Sequence, residues 1–169
     1  MASSIIAKRR GLPALTCEET FVGGLLHDIG KLFLDQFFAE QYSIAMRLAT
    51  AANIEILHAE DAALGTDHAV VGKRIATNWR LPQSSTTMIS DHHQPKLSGD
   101  YFDCVATVHT ADIVVRHLGL GLCGDAVEPQ LEPHVDKWLA FAPEDWEFVL
   151  TQTVERFEKA KEFVSVLEA

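Results

Sequence analysis

A histidine and an aspartate stand side by side in an apolar part of the sequence. His27 and Asp28 lie within the stretch GGLLHDIGKL, residues 23–32. An ionised carboxylate in such surroundings is costly unless it is paired with a cation or bound to a metal ion. The pair therefore needs partners from elsewhere in the chain.

Further groups of the same kind follow downstream, namely His68, the doublet His92-His93 and Asp112. Imidazole and carboxylate are ligands of zinc, manganese and iron, and this number of donors is enough for two ions that share a bridging aspartate. A single helical histidine is more often a core or surface residue than a ligand. The whole set could also form a buried hydrogen-bonded network without metal, so both interpretations stay open.

Two residues near these groups also have alternative interpretations. Lys31 either contacts a phosphate or pairs with an aspartate beside the site, which we favour, or is a solvated lysine after a helix break. His109 lies three residues before Asp112, so the two side chains could share a helix face and exchange a hydrogen bond that orients a ligand.

The apolar spacing is helical along the whole chain and predicts an all-α fold. Thr16 and Glu19 resemble a capping box, which predicts a helix that carries His27 and Asp28 at its last turn and breaks at Gly30. No alternating strand, internal repeat or linker is present. We therefore expect one helical domain over residues 1–169.

Capping residues also place the other candidate ligands at helix ends. Asp67 is predicted to cap the helix that carries His68, and Pro82 to begin the helix that reaches the His92-His93 doublet. Asp112 falls within a long, mostly buried helix over residues 101–118. Three tryptophans are interpreted as packing residues of the core or of a groove: Trp79, Trp138 and Trp146.

Composition restricts the classes of partner. A formal net charge of −10 argues against nucleic acid and anionic membranes, which both require clustered Lys and Arg. No apolar run reaches membrane-spanning length, and residues 1–10 lack the order of a secretory signal. Cys17, Cys104 and Cys123 form no CxxC pair, which is typical of a protein in the reducing cytoplasm.

The order of these motifs resembles the HD superfamily of metal-dependent phosphohydrolases. In combination they resemble the HDOD branch of this superfamily, and the resemblance covers about residues 17–169. HDOD domains are output domains of bacterial signalling proteins. The motifs that carry the resemblance are LLHDIGKL at 25–32, DHAVVG at 67–72, WRLP at 79–82, HHQP at 92–95 and the helix from Ala111-Asp112 to Gly119.

The resemblance implies an HD-like helical bundle and a set of site residues. The implied metal ligands are His27, Asp28, His68, His92, His93 and Asp112, for one or two ions of iron, manganese or zinc. Similarity to the HD-GYP phosphodiesterases implies that Asp28 orients a metal-bound water and that Lys31 contacts the phosphate.

Two departures from that pattern bear on function. The Gly-Tyr-Pro stretch of HD-GYP enzymes is replaced by QPKLSGD at residues 94–100, and no histidine precedes His27. Residues 1–10 resemble the end of the helix that would carry the upstream histidine in HD domains. We therefore expect the chain to be the C-terminal part of a longer protein.

Two functional hypotheses follow. The first is a regulatory module of bacterial signalling that binds a signalling protein or a small ligand and either keeps a divalent metal or has none. The second is a metal-dependent phosphohydrolase that acts on a phosphoester, with Asp28 and Lys31 as catalytic residues. Association into a homo-oligomer is compatible with either.

Overall fold

The computed structural model describes residues 1–121, 124–125 and 127–167, and no strand occurs among them. Cys123 lies outside the described residues. The all-α prediction is confirmed. In chain order the helices are α1 (Ala2–Arg10), α2 (Ala14–Leu26), α3 (Ile29–Phe37), α4 (Ala39–Ala52), α5 (Ile56–Leu64), α6 (His68–Asn78), α7 (Gln83–Asp91), α8 (Phe102–His117), α9 (Pro133–Leu139) and α10 (Pro143–Leu167).

The start of α2 differs from the prediction. The helix begins at Ala14 after Pro13, so Thr16 lies inside it and the predicted capping box is wrong. Glu19 instead accepts a hydrogen bond of 2.9 Å from the Ser84 hydroxyl on α7. The acidic residue thus joins two helices, a use that local spacing cannot distinguish from capping.

The break after α2 also lies elsewhere than predicted. It falls at His27 and Asp28, between the end of α2 and the start of α3, while Gly30 lies inside α3. A Cβ atom at Gly30 would stand 1.9 Å from the backbone oxygen of His68. Gly30 is therefore required by the close approach of α3 and α6, which brings His68 to the HD pair.

Helices α6 and α7 follow the prediction closely. Asp67 caps α6, because its Oδ1 accepts the backbone N–H of Val70 at 2.8 Å. Helix α7 begins directly after Pro82 and ends at Asp91, so the His92-His93 doublet comes immediately after its last residue. Both helices pack against each other, and α7 also packs against α2.

The largest apolar cluster joins α1, α8, α9 and α10. Its fully buried members include Ile6, Val135 and Val149, and α1 is buried along most of its length. Trp138 and Trp146 pack against this cluster as predicted. Trp79 is 63% exposed and lies outside the core, but it lines a surface groove with Ile29 and Ile75, which agrees with the groove alternative of the prediction.

A second apolar cluster joins α4 and α5. Its buried members are Ala45, Ala49, Ile56 and Ala59. Helix α5 also contacts α6, and α4 contacts α3. The candidate ligands lie outside these two clusters, where α2, α3, α6, α7 and α8 meet.

Candidate metal centre

Helix ends bring the predicted site residues together. His27 and Asp28 lie between α2 and α3, His68 is the first residue of α6, and the His92-His93 doublet follows α7. The close contact at Gly30 holds the first two of these ends together. The order of the helices thus gathers five candidate ligands from three distant parts of the sequence.

Three of the histidines share one hydrogen-bonding pattern. The Nδ1–H of His27 donates to the backbone oxygen of Gly24 at 3.0 Å, and that of His92 donates to the backbone oxygen of Ile89 at 2.9 Å. The Nδ1–H of His68 donates to a carboxylate oxygen at 2.6 Å. A neutral imidazole that donates through Nδ1 has a lone pair on Nε2, which is the form that ligates a metal.

These Nε2 atoms surround the Asp28 carboxylate. Oδ1 of Asp28 lies 3.4 Å from Nε2 of His68 and 3.7 Å from Nε2 of His92, and Oδ2 lies 3.4 Å from Nε2 of His27. Each carboxylate oxygen therefore faces a different histidine or pair of histidines. This is the geometry expected of a carboxylate shared between two cation positions.

Several of these atoms are buried without a hydrogen-bond partner: His27 Nε2, Asp28 Oδ1 and His92 Nε2. Buried polar atoms are nearly always satisfied, and three neighbouring exceptions require an explanation. Lone pairs that converge without donors between them suit a cation. The donor set and these unsatisfied atoms therefore fit a divalent metal ion.

The ligand atoms form two overlapping triplets, each with its members within 4.8 Å of one another. One contains His68, His92 and His93, and the other contains His27, Asp28 and His92. Asp112 belongs to neither, although its Oδ1 lies 3.8 Å from Nε2 of His27. The structure thus brings the six predicted ligands together, with Asp112 at the edge.

The doublet is kept neutral by its surroundings. Burial, reinforced by the neighbouring histidines, lowers the pKa of His92 well below its ordinary value. Burial, followed by the proximity of His68, lowers the pKa of His93 to about 3. Uncharged imidazoles are the form that binds metal, so these shifts keep the doublet competent over a wide pH range.

For Asp28 and His27, the effect of neighbouring charges on the pKa is larger than the effect of burial. Burial alone would raise the pKa of Asp28, but the charges of His27 and Lys31 outweigh it and lower the pKa. Burial would lower the pKa of His27, but the neighbouring carboxylates of Asp112 and Asp28 outweigh it and raise the pKa. A bound cation would replace the proton that His27 attracts in the metal-free chain.

Lys31 and His109 take definite partners. The ammonium of Lys31 lies 2.8 Å from Oδ2 of Asp28. Lys31 thus pairs with the aspartate beside the site and is not a solvated lysine. The Nδ1–H of His109 donates to the backbone oxygen of His92 at 2.8 Å. The suggested bond between His109 and Asp112 is absent among the described residues, and His109 instead holds the doublet.

Two groups next to the site were not predicted. Glu60 on α5 is fully buried and contacts His68. Arg116 lies 3.9 Å from Asp112 and pairs with Asp125. Glu60 precedes His68 by eight residues, and a helix ends between them, so helical periodicity does not connect the two residues. In the sequence Glu60 stands next to Asp61 and cannot be distinguished from an ordinary acidic residue.

Comparison with known proteins identifies the fold and the family of this chain. The sequence model described as HDOD domain matches residues 1–95. A structure from Marinobacter aquaeolei VT8, of a candidate signal transduction protein, is 20% identical with a TM-score of 0.81 over 99% of this chain and 37% of its own. An HDOD domain protein with unknown function from Geobacter sulfurreducens is 26% identical with a TM-score of 0.75 over 94% of this chain and 57% of its own.

An uncharacterized protein from Treponema pallidum (strain Nichols) is 26% identical over 114 residues, which are 67% of this chain and 22% of that protein. The chain thus spans about a fifth of this relative and less than two thirds of each solved chain. Within the described residues, none of the helices is both long and apolar enough to span a bilayer. Because the family match covers more than half of its length, the chain belongs to the HDOD domain family.

Proposed function

We propose that this chain is a regulatory module of bacterial signal transduction whose folded state carries a divalent metal ion. Membership of the HDOD family supports the signalling role. The module would act in the cytoplasm by binding a signalling protein, alone or as a homo-oligomer. Iron, manganese and zinc all suit its imidazole and carboxylate donors.

One observation carries the metal assignment. The Nε2 atoms of His27 and His92 and Oδ1 of Asp28 are buried together and unsatisfied, while each imidazole is fixed by an Nδ1–H bond to the backbone. A purely structural network would place donors opposite these lone pairs. A cation satisfies all three at once, and His68, His93 and Asp112 lie within reach to complete its ligands.

A measurement of the metal content of the purified protein tests this proposal directly. Protein purified without chelator or affinity metal is expected to hold one to two equivalents of iron, manganese or zinc by mass spectrometry, and Asp28→Ala is expected to hold none. Asp35→Ala on the exposed side of α3 is the matched control and should keep the wild-type content. Equal metal content in Asp28→Ala and Asp35→Ala would refute the site.

Phosphoester hydrolysis is a second candidate, favoured by the position of Lys31. Its ammonium stands beside Asp28, where it could neutralise phosphate charge next to a metal. A bound metal ion would lower the pKa of a water to give a nucleophile, and Asp28 would orient that water. His93 and Asp28 are partly exposed, so a ligand can reach this side of the cluster.

Bis(p-nitrophenyl) phosphate with Mn²⁺, Fe²⁺ or Zn²⁺ is a suitable assay. The hydrolase hypothesis expects turnover in the wild type, none in His92→Ala, and a large loss in Lys31→Met without loss of metal. An inactive wild type with each of the three metals would reject hydrolysis and leave the regulatory proposal standing.

A further inference from the structure

We propose that Glu60 is a positioning residue of the metal centre, which fixes the ring of His68 and increases the donor strength of its Nε2 atom. Glu60 is not among the predicted ligands and lies on α5, which contributes no ligand. The inference rests on the proposed metal site. It assigns to that site a partner that acts through His68.

The contacts of Glu60 are concentrated on one residue. Its Oε2 atom accepts the backbone N–H of His68 at 2.8 Å and the Nδ1–H of the same residue at 2.6 Å. These two bonds fix both the start of α6 and the orientation of the ring. His68 is itself fully buried, so these two bonds act on a ring that is also enclosed by the protein interior.

The charge on Glu60 is costly for the fold alone. The side chain is 0% exposed, and its Oε1 atom is buried without a hydrogen-bond partner. A neutral acceptor could receive the same two bonds without placing an anion in the interior, where an uncompensated charge is destabilising. The carboxylate therefore has an effect beyond packing, and the group that receives it is His68.

His68 differs in this respect from the other two fixed imidazoles. His27 and His92 donate to backbone oxygens three residues earlier in the chain, as any histidine at a helix end can do. His68 alone among the three donates to a carboxylate. A carboxylate partner raises the basicity of a ligating imidazole and fixes its tautomer, and removing such a partner weakens metal binding by about 10–100-fold.

The neighbouring doublet shows what the tautomer controls. Nε2 of His68 lies 2.8 Å from Nε2 of His93. Because Glu60 keeps the proton of His68 on Nδ1, the proton between these two Nε2 atoms belongs to His93 in the metal-free chain. His68 would therefore offer its Nε2 lone pair to a bound ion directly, whereas His93 would do so only after its proton moves from Nε2 to Nδ1.

Zn²⁺ titration against a chromophoric chelator tests the proposal in the whole chain. Glu60→Gln preserves the shape of the side chain and removes its charge, and we expect its Zn²⁺ affinity to fall by about 10–100-fold. Asp61→Asn makes the same chemical change one residue along α5 at an exposed position, and should leave the affinity unchanged. Equal affinities of Glu60→Gln and the wild type would overturn the proposal.

A measurement on the metal-free protein separates this proposal from the metal site itself. Long-range ¹H–¹⁵N NMR of the histidine rings should find His68 as the Nδ1–H tautomer in the wild type, and the Nε2–H tautomer should increase in Glu60→Ala. A wild-type His68 in the Nε2–H form would overturn the role of Glu60. A wild type that binds no Zn²⁺ but shows the Nδ1–H form would reject the metal site and retain the orientation of His68 by Glu60.

Discussion

Two buried regions of this chain are built from opposite kinds of side chain. The cluster of α1, α8, α9 and α10 is apolar, with Ile6 and Val149 fully buried. The centre between α2, α3, α6 and α7 buries His68, His92 and Glu60 to the same degree. Removing apolar surface from water stabilises the fold by about 25 cal/mol per Å², whereas burying imidazoles and a carboxylate does not.

The difference indicates a division of roles. Stability comes from the apolar cluster, and the polar centre depends on it for its geometry. Helices α1 and α8 belong to the cluster, and both pack against α2, whose last residue directly precedes His27. The comparison predicts that changes in the cluster alter stability and leave metal affinity intact, whereas the main effect of changes in the centre is on metal affinity.

Truncation in the apolar cluster should have the largest effect on stability. Ile6 is completely buried, so Ile6→Ala is expected to lower the free energy of unfolding by about 2–5 kcal/mol in urea denaturation. The milder Ile6→Val should cost about 0.5–1.5 kcal/mol. The folded fraction of each variant should bind Zn²⁺ with wild-type affinity, and a large loss of affinity in Ile6→Val would contradict the division of roles.

Gly30 is the position where both properties should change together. Its Cβ would stand 1.9 Å from the backbone oxygen of His68, so Gly30→Ala must separate α3 from α6. We expect a loss of about 1–3 kcal/mol in denaturation and a measurable loss of Zn²⁺ affinity, because Asp28 and His68 move apart. Gly65→Ala meets no atom and is strained only by its φ of +71°, so it should cost stability without weakening Zn²⁺ binding.

Acid should destabilise the metal-free protein through the polar centre. Burial lowers the pKa of His93 to about 3 and that of His92 well below 6.5, so below pH 6.5 the unfolded chain binds protons that the folded chain excludes. Stability therefore falls as the pH decreases from 7 to 4. The lowered pKa of Asp28 and Asp112 adds to this loss at lower pH, and the raised pKa of His27 opposes it.

Urea denaturation at pH 7 and pH 5 measures this loss. His93→Gln should reduce the difference between the two pH values, because the unfolded chain then binds one proton fewer. His117→Gln changes an exposed histidine and should keep the wild-type difference. A His93→Gln variant with the full wild-type difference would show that His93 is not kept neutral by the fold.

Much of the site could be predicted because its residues carry local signals. A charged pair in an apolar stretch and a histidine doublet after a helical run each stand out in a short window. Asp67 before an apolar-periodic helix is a similar signal, and the structure confirms its cap. These features depend on neighbours in sequence, which is the information that periodicity and capping rules contain.

The wrong predictions for Gly30, Thr16 and Glu19, and the absence of any prediction for Glu60, concern contacts between distant segments. Gly30 indicates a helix break locally, but its role depends on the backbone of His68, 38 positions later in the chain. Thr16 and Glu19 have capping-box spacing, but Glu19 bonds Ser84. Glu60 has no local signal at all, because its partner becomes adjacent only when α5 and α6 fold against each other.

Removal of the α6 cap should have the smallest effect. Asp67 accepts the N–H of Val70, and Asp67→Ala is expected to lower the free energy of unfolding by about 1 kcal/mol, with Asp67→Asn close to the wild type. His68 is the next residue, yet two bonds from Glu60 hold it independently of the cap. Asp67→Ala should therefore lose less Zn²⁺ affinity than Glu60→Gln, although it costs stability. The reverse order would mean that helix α6, rather than the buried carboxylate, orients the ligand.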